Sequence, residues 1–192
     1  MPESRIVSSD SIVLFADLQE GIADLPLTTP LPKLKKSVLA LAKLAKLFEI
    51  PAIVTAVPGA DGTAKILPEI AEGYGELPTH YRTTADLFLN EAIASAIKKS
   101  GRKTILISGV ATELAVQLPA LTGVDLGYRT FIVLDACGGT NQRTEQAAIH
   151  RAIANGGSTT AVITLAGELA GDFRTEKAQA AIGILFSMAQ PE

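Results

Sequence analysis

The sequence predicts an α/β fold: a three-layer α/β/α sandwich whose helices cover both faces of a mainly parallel six-stranded sheet. Three observations predict it. Short aliphatic runs recur along the 192 residues, and most are apolar throughout instead of alternating, the pattern of strands buried on both faces of a parallel sheet. Stretches with apolar residues at helical spacing fall between these runs, in units of ~30 residues. Glycines stand where several of those helical patterns end, the position that favours a left-handed backbone.

Residues 12–17 (IVLFAD) read as the first strand. A helix is expected over 31–48, where Leu34, Val38, Leu41, Ala45 and Phe48 form one stripe while Lys35, Lys36, Lys43 and Lys46 lie largely off it, on a solvated face. Residues 51–57 (PAIVTAV) form the second strand, and a weaker third lies near 77–81. A helix over 86–100 stops at Gly101, a strand follows over 104–109 (TILISG), and a helix over 113–126 stops at Gly127. The next strand covers 130–135 (TFIVLD), the next helix covers 141–155 before Gly156-Gly157, and the last strand covers 159–164 (TTAVIT). A helix over 175–189 closes the chain. With no repeat, low-complexity segment or linker in view, residues 1–192 are expected to form one domain, its core spanning about 10–170.

Composition excludes several classes. Hydrophobic residues make up 47% and charged residues 19%, too apolar for a disordered chain. A net charge of −3 offers no basic excess for phosphate contacts, so nucleic acid is not an expected partner. No apolar run reaches the ~18 residues of a membrane span, and the opening MPESRIVSSD lacks a signal-peptide profile, so neither membrane nor export is expected. The lone Cys137 can form no internal disulfide and no zinc cluster, which fits a reducing cytoplasm. A mean hydropathy of +0.29 suggests apolar surface buried between subunits of a homo-oligomer.

In such folds ligands bind beyond the carboxyl ends of the strands, near the point where strand order reverses. The groups there are Asp17, the turn Pro58-Gly59-Ala60-Asp61-Gly62, the segment Val110-Ala111-Thr112-Glu113, and Asp135-Ala136-Cys137-Gly138-Gly139. The dinucleotide, P-loop and nucleophile-elbow glycine motifs are all missing. His80 and His150 lie far apart and read as surface or structural, so no histidine metal site, Ser-His-Asp triad or cofactor is expected. Cys137 reads as a small buried hydrophobe, and Glu113 as a first-turn partner of its helix dipole.

Three segments in order carry a resemblance: Asp17-Leu18-Gln19 ending the first strand, Arg82-Thr83-Thr84-Ala85-Asp86-Leu87-Phe88, and Gly109-Val110-Ala111-Thr112-Glu113-Leu114-Ala115-Val116 turning from strand into helix. Leu126-Gly127-Tyr128-Arg129 and Asp135-Ala136 add to it. Together they resemble the isochorismatase-like, or cysteine hydrolase, superfamily over about residues 10–170. Leu67-Pro68-Glu69, Gly101-Arg102-Lys103 and Pro119 bring it nearest the YcaC-type bacterial branch. The resemblance implies strand order 3-2-1-4-5-6, a homo-oligomer, and a cis peptide at Val110–Ala111 with the amides of Ala111 and Ala115 facing a pocket. It also implies that two family residues are replaced: the nucleophilic cysteine by Ala115, and the active-site lysine by Arg82.

The replacements decide the chemistry. In the family triad the aspartate activates a thiol that attacks a carbonyl or nitrile while turn amides hold the oxyanion. Losing a nucleophile costs on the order of 10⁶ in turnover, so covalent amidase chemistry at Ala115 is excluded. The first turn of its helix would still favour an anion, and Pro119 has no N–H for the Ala115 carbonyl, which predicts a kink. Isochorismatases proper protonate a vinyl ether with this aspartate. Burial would favour a neutral, proton-donating Asp17, whereas a neighbouring Arg82 favours the ionised form and can clamp an anion but not relay protons. Two readings follow. In the first, a hydrolase-like protein acts on or binds a small anionic molecule through Asp17, Arg82 and the amides near Val110, Ala111 and Ala115. In the second, a pseudoenzyme keeps the fold for ligand binding or assembly, with Ala178, Ala181, Ile182, Leu185 and Met188 of the last helix as subunit contacts.

Overall fold

A computed structural model of the protein describes residues 5–189. The strands are β1 (Ser11–Ala16), β2 (Ala52–Ala56), β3 (Thr79–Tyr81), β4 (Thr104–Val110), β5 (Arg129–Gly138) and β6 (Ser158–Thr160). Among the described residues they form one six-stranded sheet, ordered β3-β2-β1-β4-β5-β6, with every neighbouring pair parallel. The helices are α1 (Leu31–Leu47), α2 (Pro68–Tyr74), α3 (Glu91–Lys99), α4 (Gln117–Asp125), α5 (Gln142–Ala154), α6 (Val162–Ala170) and α7 (Glu176–Ala189). None is long and apolar enough to cross a membrane.

The pleat of β1 sorts the core into two layers. Val13 and Phe15 join Leu34, Val38 and Leu41 of α1 on one face, where Ile70 of α2, Leu165 of α6 and Ala181 of α7 complete the packing. Ile12, Leu14 and Ala16 point the other way, against Ile93 and Ile97 of α3, Ala120 of α4 and Ala152 of α5. Both β1 and β4 are buried along their whole length, which accounts for their unbroken apolar runs. They pair from Ser11↔Thr104 to Ala16↔Gly109, and the strand order reverses between them. Gly109 permits that closeness: a Cβ there would stand 2.4 Å from the Ala16 carbonyl oxygen and 2.8 Å from its Cβ. A ligand crevice is expected at such a reversal point, here beyond Ala16 and Val110.

Four expectations need correction. The strand expected over 159–164 ends at Thr160, and a helix not foreseen runs over Val162–Ala170. Its first N–H, on Val162, donates to both carboxylate oxygens of Asp135, at 3.0 and 3.2 Å, so a side chain 27 residues away caps it. The short α2, begun by Pro68 at its first position, was also unforeseen. The helix expected from residue 86 starts later, because Asp86 caps only a 3₁₀ turn over Leu87–Leu89 before Asn90 caps α3 through the amides of Ala92 and Ile93. The helix expected over 113–126 is two pieces. Residues Thr112–Val116 form a π-helical turn, with the Gln117 N–H donating to the Thr112 carbonyl, and α4 continues from it. A π turn lets the chain pass Pro119, which has no N–H to give.

Candidate functional site

Asp17 sits just past β1, where its N–H donates to the Thr55 carbonyl at 3.1 Å. Its φ of 54° lies in the left-handed region, which aspartate tolerates better than most residues, and the chain turns sharply away from the sheet there. Gln19, two residues on, secures the turn. Its side-chain amide donates to the Val57 carbonyl and accepts from the Val57 N–H, both at 2.9 Å, tying the loop after β1 to the end of β2. The sequence flagged Gln19 as a motif residue without showing this role.

Arg82 extends β3 by one residue, its N–H donating to the Ala56 carbonyl at 2.9 Å. Its side chain reaches back along the carboxyl edge to Asp17. Nε donates to Oδ1 at 3.1 Å and Nη2 donates to Oδ2, a two-pronged fork that matches the carboxylate plane. The Thr55 hydroxyl adds a 3.3 Å bond to Oδ1. Nη1 donates to the carbonyls of Thr84 and Ala85, leaving one of the five guanidinium N–H groups. Asp17 is 2% and Arg82 4% exposed. This guanidinium is largely occupied by the protein's own acceptors.

Val110, Ala111 and Ala115 lie across the crevice, at the end of β4. The Val110–Ala111 peptide is cis, as the resemblance implies. The Ala115 N–H donates to the Ala111 carbonyl at 3.0 Å. Its methyl group is 1% exposed and packs in the apolar cluster holding Ala16, Leu87, Val116 and Cys137. The structure thus brings Asp17 and Arg82 into contact and places an inert methyl on the adjoining strand's exit turn.

The remaining candidates have structural roles. The Glu113 carboxylate accepts from the hydroxyls of Thr140 and Thr144 and from the Thr140 N–H, fastening the turn after β5. Partial burial opposes its charge, but the Thr144 and Thr140 bonds prevail and hold its carboxyl below the usual range. Cys137 is buried, its thiol lies 3.6 Å from the Ile107 carbonyl, and burial pushes its pKa up to about 12. His80 is half-buried on β3 and His150 is exposed on α5. Among the described residues no cluster of three or more His, Cys, Asp or Glu side chains could hold a metal ion.

A parallel sheet reversing at β1/β4, with an acid ending one strand and a cis peptide ending the next, defines a known class. The chain belongs to the isochorismatase family, whose Isochorismatase domain matches residues 11–166. Among individual relatives it is 32% identical to "Probable hydrolase YcaC" of Escherichia coli K12, over 91% of this chain and 85% of that one. The E. coli YcaC crystal structure, described as an octameric hydrolase of unknown specificity, superposes with a TM-score of 0.88 at 33% identity, over 98% of this chain and 92% of that one. YcaC from Pseudomonas aeruginosa, solved with hexane-2,5-diol and covalent acrylamide, gives a TM-score of 0.87 at 31% identity, over 98% and 96% of the two chains.

Proposed function

We propose that this chain is a single-domain, cytoplasmic pseudoenzyme of the isochorismatase family, a self-assembling protein that has lost covalent hydrolysis. One observation carries the reading. Both oxygens of Asp17 are held by Arg82 inside the protein, beside a residue, Ala115, that has no nucleophilic atom. A carboxylate so engaged is a poor base for a neighbouring thiol and a poor source of protons. Self-assembly draws support from the octameric E. coli relative. A small-molecule role, if kept, is confined to an anion meeting the Ala111 amide and the last Nη2 proton of Arg82.

The test uses acrylamide, found covalently bound in the P. aeruginosa relative, as a probe together with small amides and isochorismate. The native chain is expected to take up no acrylamide and to hydrolyse neither substrate class above the solvent rate. Ala115→Cys alone is expected to stay inactive on amides. Adding Arg82→Lys, which replaces the fork by a point charge and frees a carboxylate oxygen, is expected to create turnover. Native turnover abolished by Asp17→Asn would overturn the proposal in favour of acid catalysis by Asp17.

A further inference from the structure

We propose that the amino edge of the sheet, at the opposite end from Asp17, binds a small organic phosphate, a monoester with an apolar body. The proposal is independent of the chemistry at Asp17. Where α1, α2 and α3 end lies a hollow of about 480 Å³, lined by Lys46, Glu49, Pro51, Tyr74, Ser100 and Arg102. That volume falls within the ~300–1,000 Å³ range of small-molecule sites. Two cations face the hollow, and both are held in place. Arg102 is half-buried, and its Nη1 donates to the carbonyls of Ser8 and Ser9, which leaves Nε and Nη2 for a ligand. The Lys46 ammonium stands 5.5 Å from the centre of the Tyr74 ring, whose hydroxyl is fixed by a 3.1 Å bond to the Ile50 carbonyl. Neither cation forms an ion pair with a described carboxylate.

The surrounding charge favours an anion. Glu49, the one acid of the lining, takes Lys177 at 3.2 Å, while Lys98 and Lys99 stand in the last turn of α3. The negative ends of the helix dipoles are met by local donors. The Glu49 and Ile50 N–H groups donate to the Lys46 and Ala45 carbonyls at 3.2 and 2.8 Å. At the end of α3 the Ser100 hydroxyl donates to the Ile97 carbonyl at 2.6 Å. Two positive charges match the near-dianion of a phosphate monoester, whereas a carboxylate would leave one of them unmatched. The Arg102 fork suits two phosphate oxygens and the Lys46 ammonium a third, with Pro51 and the Tyr74 ring as apolar surface for the body.

Calorimetric titration of the full chain with phenyl phosphate at low ionic strength tests this, with phenol and inorganic phosphate as comparison probes. Phenyl phosphate is expected to bind once per chain, more tightly than inorganic phosphate, and phenol not at all. Lys46→Gln and Arg102→Gln are each expected to weaken binding about tenfold, the scale of a charge-assisted hydrogen bond. Lys33→Gln, in the first turn of α1, is the control and should change nothing. Glu49→Gln removes the opposing charge and should tighten binding. Circular dichroism selects folded variants, and Lys46→Gln keeps the test open if the loss of the Arg102 bonds to Ser8 and Ser9 disturbs the fold. No binding of phenyl phosphate, or binding left intact by Lys46→Gln, would overturn the site. Inorganic phosphate binding as tightly as phenyl phosphate would overturn the monoester as its ligand.

Discussion

At Arg82 and Asp17 an arginine fork and a carboxylate are buried together, which makes each hostage to the other. Removing one partner from such a pair typically costs about 3–5 kcal/mol, because the survivor is left charged and unpaired, whereas replacing both with groups of similar volume can cost far less. Arg82→Ala is therefore expected to lower the urea-unfolding free energy by about 3–5 kcal/mol. The double variant Arg82→Met with Asp17→Asn should recover most of that loss. Equal losses in single and double variants would mean that packing, and not the ion pair, holds this corner. The same scale explains Cys137: with its thiol pushed up to about 12, roughly one molecule in 10⁴ is a thiolate at pH 8. The thiol is silent because of where the fold puts it, a fact invisible in a sequence that shows only one cysteine at a strand's end.

Elements were legible wherever a local pattern also decided the tertiary outcome. β1, β4 and α1 are of this kind, since an unbroken apolar run or a clean stripe has one stable placement. Around residue 160 the local and tertiary signals conflict. TTAVIT is rich in β-branched residues and reads as a strand, yet the Asp135 carboxylate takes the Val162 N–H and starts α6 there. The site was readable in the same uneven way: Asp17, Arg82 and the exit turn of β4 could be named from motif order, but the bonds occupying Arg82 and the Ala115 amide depend on folded geometry. Asp135 yields an element-scale prediction. Asp135→Ala should cost about 1 kcal/mol, the usual value of a lost N-terminal cap. Asp135→Asn keeps an acceptor, and its effect depends on pH. Burial raises the Asp135 carboxyl above its usual value, so the folded state favours the protonated acid. The advantage of the native residue is therefore complete below the unfolded value near 3.8 and is lost as pH rises through the higher folded value. Chemical denaturation from pH 3 to 7 should show Asp135→Asn gaining on the native chain with rising pH, and a constant gap would contradict the assignment.

For the whole molecule, the decisive contrast is between side chains buried at the carboxyl edge of the sheet and an outer face that is left apolar. Asp17, Arg82 and Ala115 are all at most 4% exposed, while Ile163, Phe173 and Phe186 on the α6–α7 side are each more than half exposed. A chain with mean hydropathy of +0.29 and a net charge of only −3 has little else to keep such a face in solution. Association and folding should therefore be linked, since whatever binds only the native chain stabilises it by mass action. Thermal unfolding is expected to shift upward by several degrees as protein concentration is raised a hundredfold. A reversible dimer gains about RT ln 100, roughly 2.7 kcal/mol, over that range. Shared between the two chains that unfold, such an increment corresponds to roughly 3–5 °C. Phe186→Asp should flatten the dependence without lowering the transition of the dilute native protein, because the residue is mostly exposed within a single copy. A midpoint independent of concentration in the native chain would show that the apolar face is borne by an isolated subunit.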